Sequence, residues 1–384
     1  MPRGKRIEHR DALSAAVAIL SGRRPPKTAE QISKTLGVNV KTIYTLRKEA
    51  VANGWLVSAE VFTGDGISQE LMSRAEEKIG NKDILPELAQ SLERVAGYAV
   101  GVHISNTGSL TQPERQMAAA GLDAAPFLKR LITNPEVSTV AVAYGSTLRC
   151  LLDGLRNISP IPIRPDSPIT CVPMRGDAGL DLPDSPTPLS RLLSEIVNGP
   201  NPNGRYWRAP TAIPPVRPSL DRFGLGPRVA GEVLESYYRL FTDFADCFSP
   251  AGIGARPNLV ISAVGPPLPV SSITRWIFEL AGFDASSLPL AGDLAGLPIL
   301  DNREVIGKHV KAVAKYERER IIGLRSVSLR RIVRDGGRVL AVAFRDLSRC
   351  RCLWEAVRQA LVSDVIVDRP IAKELIRLSR EAEA

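Results

Sequence analysis

The sequence predicts a mixed α/β protein, with a small basic helical head followed by a larger body built on a mostly parallel sheet. Its 384 residues are more than one typical hydrophobic core needs, so at least two domains are expected. From about residue 97, short runs rich in Val, Ile and Ala alternate with helical segments, a pattern typical of a parallel sheet covered on both faces. The first 56 residues carry a net charge of +7 out of +9 for the chain, which is the electrostatic footprint of a unit that binds a polyanion; a solvated basic tail is the alternative that charge alone leaves open.

The head is predicted from residues 28–48, "TAEQISKTLGVNVKTIYTLRK". Thr28 and Gln31 have the spacing of a capping box, so a first helix begins at Ala29 and ends near Gly37, which can adopt a left-handed conformation. A second helix then runs from Val40 to about residue 52. Together with a helix over residues 10–21, these elements predict a helix-turn-helix within residues 1–62.

The second of these helices has the diameter of the DNA major groove, and its outward side chains are candidates for contacts with bases and phosphates. The predicted DNA-binding residues are Lys34, Asn39, Val40, Lys41, Thr42, Tyr44, Thr45, Arg47 and Lys48. A plain three-helix packing unit with a polar face is the alternative, but it leaves the concentrated positive charge without a role. Residues 54–62 alternate in polarity and predict either a wing strand or a strand that leads into the linker.

A helical linker is predicted over residues 63–96, with separate amphipathic helices at 68–79 and 85–95. Residues 97–384 then form the body. Its strands are expected at 98–104, 138–144, 169–174, 258–264, 338–344 and 364–368. A helix over residues 113–132 is expected to break at Pro126, and a proline-rich insertion near 183–228 is expected to form a long loop. Residues 302–327 are charged and helical in character.

Ligands of open α/β sheets bind beyond the carboxyl ends of the strands, so the strand-to-loop junctions are the places to search. Four junctions carry polar or cationic side chains suited to an anion or a sugar. The candidate residues there are Gly145, Ser146, Thr147, Arg149, Arg175, Asp293, Arg345 and Arg349. At the first junction a simple helix N-cap and a phosphate-gripping loop are equally compatible with the sequence.

Four stretches of the body, "VAVAYGSTL", "LVISAVGPP", "AGDLAGLPILD" and "VLAVAF…ALVSDVIVDRPIAKELI", resemble the SorC group of DeoR-type sugar-sensing regulators. In that family, a Gly-Trp-Gly-Arg-Thr motif stands where this chain has residues 143–147. A glycine pair stands there in place of Phe344 and Arg345, and Arg349 falls near a family lysine. The resemblance implies an effector domain that is similar in fold to sugar-phosphate isomerases and deaminases, and it implies the candidate residues named above.

The function that follows from these patterns is a sequence-specific DNA-binding regulator. Its operator affinity would respond to a sugar or phosphosugar, and it would act as a homodimer or homotetramer. Two alternatives stay open, a DNA-binding regulator without a small-molecule effector and an isomerase- or deaminase-like enzyme that uses carboxylates such as Asp177. No acid–base pair stands out in the sequence, so no enzyme activity, cofactor or metal is expected.

Location in the cytoplasm is expected from the cysteines and from the N-terminal segment. The five cysteines are odd in number and scattered, which is not a disulfide framework, and Cys350 and Cys352 are spaced too closely for a typical zinc site. The basic N-terminus has only a short apolar stretch interrupted by charge, which is not typical of a secretory signal. No apolar run is long enough for a membrane span.

Overall fold

The computed structural model describes residues 9–22, 28–53, 56–58, 61–62, 69–106, 112–158, 161, 168–176, 183–199, 257–267, 272–321 and 323–383. In chain order the elements of the N-terminal part are α1 (His9–Gly22), α2 (Ala29–Leu36), α3 (Val40–Ala52), β1 (Leu56–Ser58), β2 (Val61–Phe62) and α4 (Gln69–Ala96). The elements of the first half of the body are β3 (Gly101–Ser105), α5 (Pro113–Thr133), β4 (Thr139–Val142), α6 (Ser146–Arg156), β5 (Thr170–Pro173) and α7 (Pro186–Asn198). The remaining elements are β6 (Leu259–Gly265), α8 (Ser272–Ala281), β7 (Leu290–Leu294), β8 (Leu297–Leu300), α9 (Gly307–Glu319), α10 (Ser326–Arg334), β9 (Arg338–Ala343), α11 (Cys350–Arg358), β10 (Asp364–Asp368) and α12 (Arg369–Glu383).

The body is built on a parallel sheet with the strand order β3-β10-β9-β6-β4-β5, which confirms the predicted fold class. The hairpin of β7 and β8 joins this sheet through an antiparallel pairing of β7 with the end of β6. Strands β4 and β10 are buried along their whole length, because helices cover both faces of the sheet. All six predicted strands are present, with bounds shifted by at most a few residues.

Helices α5 and α6 pack backbone to backbone at a pair of glycines. A Cβ placed on Gly121 would lie 2.5 Å from the carbonyl carbon of Cys150, and one on Gly154 would lie 2.5 Å from the carbonyl oxygen of Gly121. The close approach therefore depends on residues without a side chain. It fixes α6, whose first residues are candidates for ligand binding.

The two linker helices predicted from the sequence are a single helix, α4, which runs through Pro86 without interruption. Its first half buries Ala75 and Ile79 with the head, and its second half buries Leu88 and Leu92 with the body. Packing at both ends outweighs the local cost of a proline inside a helix, which is about 3 kcal/mol. Helix α5 likewise continues through Pro126, where the sequence predicts a break.

The prediction of a long loop near 183–228 is wrong for the first part of that segment, because Pro186–Asn198 form α7. Pro186 and Pro188 lie in the first turn of that helix, where the backbone N–H groups need no partner within the helix. The remainder, from residue 200 to 228, lies outside the described residues. The segment 302–327 contains α9 and the start of α10, in agreement with its helical character.

Hydrophobic burial gives two separate clusters, and α4 contributes to both. The head core consists of Ala15, Ala16, Val17, Ala18, Ile19, Leu20, Ala29, Ile32, Leu36, Ile43, Leu46, Ala50, Ala75 and Ile79. The second and larger cluster surrounds the sheet of the body. Among the described helices, none is long and apolar enough to cross a bilayer.

Candidate functional site

The two head helices α2 and α3 have well-defined ends and meet at a tight turn. The Thr28 hydroxyl accepts the Gln31 N–H at 3.2 Å, and the Gln31 side chain accepts the Thr28 N–H at 2.9 Å, which completes the predicted capping box. Gly37 ends α2 with φ 65°, in the left-handed region that favours glycine. The Ser33 hydroxyl donates to the Val38 carbonyl at 2.7 Å and ties the end of the turn to α2.

The outer face of α3 presents cationic, hydroxyl and aromatic side chains to solvent. Tyr44 is 51 % exposed although it is a large aromatic residue. The other exposed members of the predicted DNA-binding set are Lys34, Asn39, Lys41, Thr42, Thr45 and Lys48. Buried Ile43 and Leu46 on the opposite face hold α3 against the head core, so its register relative to solvent is fixed.

Three residues of the predicted DNA-binding set are not simply outward-facing. Val40, expected beside base edges, is half-buried and packs against the head core, because it is the first residue of α3 and adjoins the turn. The Asn39 side chain accepts the Lys41 N–H at 2.9 Å and so serves as the N-cap of α3. Arg47 is half-buried. Hydrogen bonds to the Glu30 carboxylate are the main cause of its lowered pKa, and the positive charge of Arg47 lowers that pKa further.

Residues 54–62 contain a two-stranded antiparallel pair, β1 with β2, directly after α3. Of the two arrangements that the sequence allowed, the antiparallel pairing matches the expectation of a strand pair beside α3.

In the body, the first group of candidate residues follows β4, next to the point between β4 and β6 where the strand order reverses. Beyond the carboxyl end of β4, Gly145 has φ 131° and donates its N–H to the Asp184 carbonyl at 2.9 Å. Helix α6 starts at Ser146 with no side-chain cap, so the positive end of its dipole is available to an anion. Ser146 is exposed and Thr147 is buried.

Beneath this loop runs a chain of polar contacts that ends on the β7–β8 hairpin. The hydroxyls of Tyr144 and Thr274 lie 3.2 Å apart, and Thr274 donates to Asp293 Oδ2 at 3.1 Å. Asp293 Oδ1 accepts the Gly296 N–H at 2.6 Å. Burial raises the pKa of Asp293, while these hydrogen bonds and the charge of Arg175 oppose the rise. The sequence suggested a turn-forming or sugar-binding Asp293; it lies inside strand β7 and is held on both oxygens.

Arg175, at the end of β5, is fully buried, although the sequence suggested an open guanidinium fork. The segment after α9 covers it: Nη2 donates to the Leu324 carbonyl at 3.4 Å, and the Arg175 backbone pairs with Gly323. Nε and Nη1 are buried without a hydrogen-bond partner, as is the hydroxyl of nearby Tyr316. Burial lowers the pKa of Arg175. Two guanidinium nitrogens without a hydrogen-bond partner are costly on a buried cation, so Arg175 stays a candidate for contact with an anion.

Gly296 brings these groups together. A Cβ placed there would lie 3.2 Å from the Tyr144 hydroxyl and 3.8 Å from Arg175 Nη1. The absence of a side chain at this turn therefore leaves space between the tyrosine and the arginine. Sequence reasoning did not single out Tyr144, Thr274 or Tyr316 as site residues. Only Tyr144, within the motif of residues 143–147, offered a signal that could have found it.

The remaining candidates lie on the loop between β9 and α11 or next to α6. Arg349 Nε is 3.7 Å from Asp346, and its positive charge acts on Asp293. Arg345 is exposed and has φ 69°, an uncommon conformation for a residue with a side chain. Its N–H donates to Asp368 at the end of β10, and burial raises the pKa of that carboxyl group. Arg149 is engaged by Asp153 at 3.0 Å on its own helix.

The groups weighed for the enzyme alternative are the carboxylates Asp177, Asp293 and Asp368 and the two histidines of the body. Asp177 lies outside the described residues. His103 is 3.4 Å from Asp123, between β3 at the edge of the sheet and α5. His309 accepts the Ile306 N–H at 3.4 Å at the start of α9. No three His, Cys, Asp or Glu residues of the described ranges are arranged to hold a metal ion.

Solved structures with the same fold are bacterial transcription regulators. The full-length sorbitol operon regulator SorC from Klebsiella pneumoniae aligns with 96 % of this chain and 100 % of its own, at a TM-score of 0.51 and 15 % identity. A probable sor operon regulator from Shigella flexneri aligns with 75 % of this chain and 98 % of its own, with a TM-score of 0.50 and 15 % identity. A transcriptional regulator from Streptococcus pneumoniae TIGR4 aligns with 77 % of this chain and 98 % of its own, with a TM-score of 0.53 and 13 % identity.

No protein-family model matches the chain, and no curated protein does at a significant level. At 13–15 % identity, the likeness to the three regulators establishes a shared fold. The alignment with SorC spans nearly the whole of both chains, so the shared architecture includes the N-terminal part as well as the body.

Proposed function

We propose that this chain is a transcription regulator that binds duplex DNA through α3 and responds to a phosphorylated sugar bound in the body. The observation that carries the proposal is the outer face of α3. Lys41, Tyr44 and Lys48 are all exposed on a helix whose other face is locked into a core. A helix with this face fits the major groove, where side chains can reach base edges and phosphates.

The DNA contacts divide by chemistry. Tyr44, Thr45 and Lys41 are placed to reach base edges, while Lys34, Thr42, Arg47 and Lys48 are placed for phosphates. Asn39 contributes chiefly by capping α3, and Val40 by anchoring it. Two heads of a homodimer or homotetramer would then contact half-sites about one helical turn apart. A cytoplasmic location follows from this role.

The proposed effector contacts likewise divide by chemistry. A phosphate would meet the uncapped start of α6 at Ser146 and Thr147 together with the free N–H groups of Arg175. Asp293 has lone pairs beyond its two existing contacts and can accept from sugar hydroxyls. Arg349 adds positive charge near this group. Arg149 and Arg345 contribute to the same field from the rim.

Fluorescence anisotropy tests the DNA part directly. The labelled probe is the duplex upstream of the chain's own gene, titrated at several salt concentrations, with an unrelated duplex of equal length as the control. Tight binding that prefers the upstream duplex supports a sequence-specific regulator. Equal and weak binding to both duplexes would contradict it.

Thermal unfolding tests the effector part. A panel of hexose phosphates is compared with the same hexoses lacking phosphate and with inorganic phosphate. A ligand at 100 times its dissociation constant stabilises the folded state by ~2.7 kcal/mol, which is measurable as a higher melting temperature. Specific DNA binding without any stabilisation would favour the regulator that has no small-molecule effector. Turnover of a hexose phosphate in a coupled assay would favour the enzyme.

A further inference from the structure

Helix α4 joins the head to the body and packs against both of them. Ala75 and Ile79 belong to the head core, whereas Leu88 and Leu92 belong to the core around the sheet. Any change in the direction of α4 near residue 80 must therefore reorient the head relative to the body. The position of the head is what decides whether two heads can contact two half-sites together.

Helix α4 resists bending least between Gly80 and Pro86. Pro86 has no N–H and so leaves the carbonyl of residue 82 without its helical hydrogen bond. Gly80 costs about 1 kcal/mol of helix stability relative to alanine. A glycine and a proline six positions apart make residues 80–86 the segment of α4 at which bending costs least.

The space beside Gly80 is filled by a side chain from the body. A Cβ placed on Gly80 would lie 2.7 Å from both Cζ and Nη2 of Arg369, so the guanidinium group rests directly on the helix backbone. The Nε of Arg369 is buried and has no hydrogen-bond partner. The next residue of α4, Asn81, donates from Nδ2 to the Ser105 carbonyl at 3.5 Å. Ser105 pairs in register with Asp368, so the ends of two adjacent strands hold this point of α4.

Arg369 is also attached to the candidate effector site. It directly follows Asp368, whose carboxylate accepts the N–H of Arg345 and, at 3.1 Å, the N–H of Ile371. Arg345 has a left-handed conformation on the loop that also carries Arg349. A change in the conformation of that loop therefore reaches Asp368 through the hydrogen bond from the Arg345 N–H. It reaches Arg369 through the peptide bond that joins Asp368 to Arg369.

We propose that the contact of Arg369 with Gly80 couples the β9–α11 loop to the direction of α4 and hence to the head. An effector that binds the loop in one conformation favours one seating of the guanidinium group, and thereby one orientation of the head. This inference rests on the proposed function for its biological meaning. The coupling itself is a property of the isolated protein and is measurable without DNA or effector.

The substitution Gly80→Ala tests the coupling without harming the fold. Alanine favours the helix by about 1 kcal/mol, and its Cβ expels only the flexible end of Arg369. Gly307→Ala is the matched control, because Gly307 is also helical and has nothing within 4 Å of an added Cβ. Arg369→Ala removes the same contact from the other side, and the double variant completes the cycle.

The first readout is hydrogen exchange of the Arg345 amide in the ligand-free protein. We expect at least a threefold faster exchange in Gly80→Ala and in Arg369→Ala, no further increase in the double variant, and no change in Gly307→Ala. Unchanged exchange at Arg345 in Gly80→Ala would overturn the coupling. So would additive effects of the two single substitutions, because a shared contact can be lost only once.

The second readout uses the upstream duplex as the probe. In the wild-type protein, saturating duplex should alter exchange of residues 344–349, and in Gly80→Ala the duplex should bind but leave these residues unchanged. An equal change in both proteins, or none in the wild-type protein, would overturn the coupling while leaving the proposed function in place. Failure of the wild-type protein to bind the duplex refutes the proposed function alone, and exchange at Arg345 still decides the coupling.

Discussion

Replacing Arg175 by methionine should make the protein more stable while it abolishes the response to a phosphosugar. Arg175 is fully buried, and two of its nitrogens, Nε and Nη1, have no hydrogen-bond partner. Each unsatisfied buried donor costs about 1–3 kcal/mol. The bond lost in exchange is the contact of 3.4 Å with the Leu324 carbonyl, which contributes about 1 kcal/mol. A flexible methionine fills most of the vacated volume.

The difference predicts a gain of about 1–5 kcal/mol in the free energy of unfolding, in line with the finding that replacing buried ionic groups by apolar ones is often neutral or stabilising. Urea unfolding at pH 7, followed by circular dichroism, gives this quantity from the shift of the midpoint at constant slope. Arg191→Met is the matched control. Its side chain is 64 % exposed and pairs with Glu195, so its effect should stay within about 0.5 kcal/mol.

A loss of 2 kcal/mol or more in Arg175→Met would refute the reasoning, since it would mean that the guanidinium group is a structural support. Retention of phosphosugar-induced stabilisation in Arg175→Met would separately remove Arg175 from the effector site. DNA affinity measured by anisotropy should match that of the wild-type protein, because Arg175 lies in the body, far along the chain from α3.

Three further substitutions test the interface, the site and the packing beneath it. Lys48→Ala should lower the slope of log affinity against log salt by about 1 in anisotropy titrations, if Lys48 contacts a phosphate; an unchanged slope and affinity would remove it from the interface. Burial raises the pKa of Asp293 above 3.8, so the wild-type protein loses stability as the pH rises from about 3.8 through the pKa of the folded state. In urea unfolding between pH 3.5 and 7, Asp293→Asn should lack this loss. Parallel curves of stability against pH for the two proteins would contradict the prediction. Gly121→Ala should cost about 1–3 kcal/mol in thermal unfolding, because its Cβ meets the backbone at Cys150; a neutral result would mean that α5 and α6 separate easily.

The head was predictable almost completely from local sequence. The capping box of Thr28 and Gln31 and the glycine turn at Gly37 depend on interactions within a few residues, and the structure has each of them. The outward face of α3 followed from helical periodicity. Val40 was misplaced because its environment depends on how tightly the turn brings α3 against the head core, which periodicity does not specify.

In the body, the strands were predictable because each is an apolar run between loops, but the long-range order of the sheet was not. Two helices predicted as separate fused into α4, because packing against two cores outweighed the proline at residue 86. Pro186 and Pro188 began a helix where proline content alone predicted a loop. In α4, packing against distant residues outweighed a local preference, whereas in α7 the position of the prolines in the first turn made them compatible with a helix.

The sequence by itself determined the α/β class, the two capped helices of the head with their turn at Gly37, and the identity of the polar residues at the strand ends, since all of these depend on patterns within about twenty residues. Only the tertiary structure decided that Arg175 is sealed under Leu324, that Tyr144, Thr274 and Asp293 form one chain of contacts, and that Arg369 rests on Gly80. The physical reason is that these contacts join segments that are distant in the sequence, such as Arg175 with Leu324 and Arg369 with Gly80, which a local pattern cannot specify.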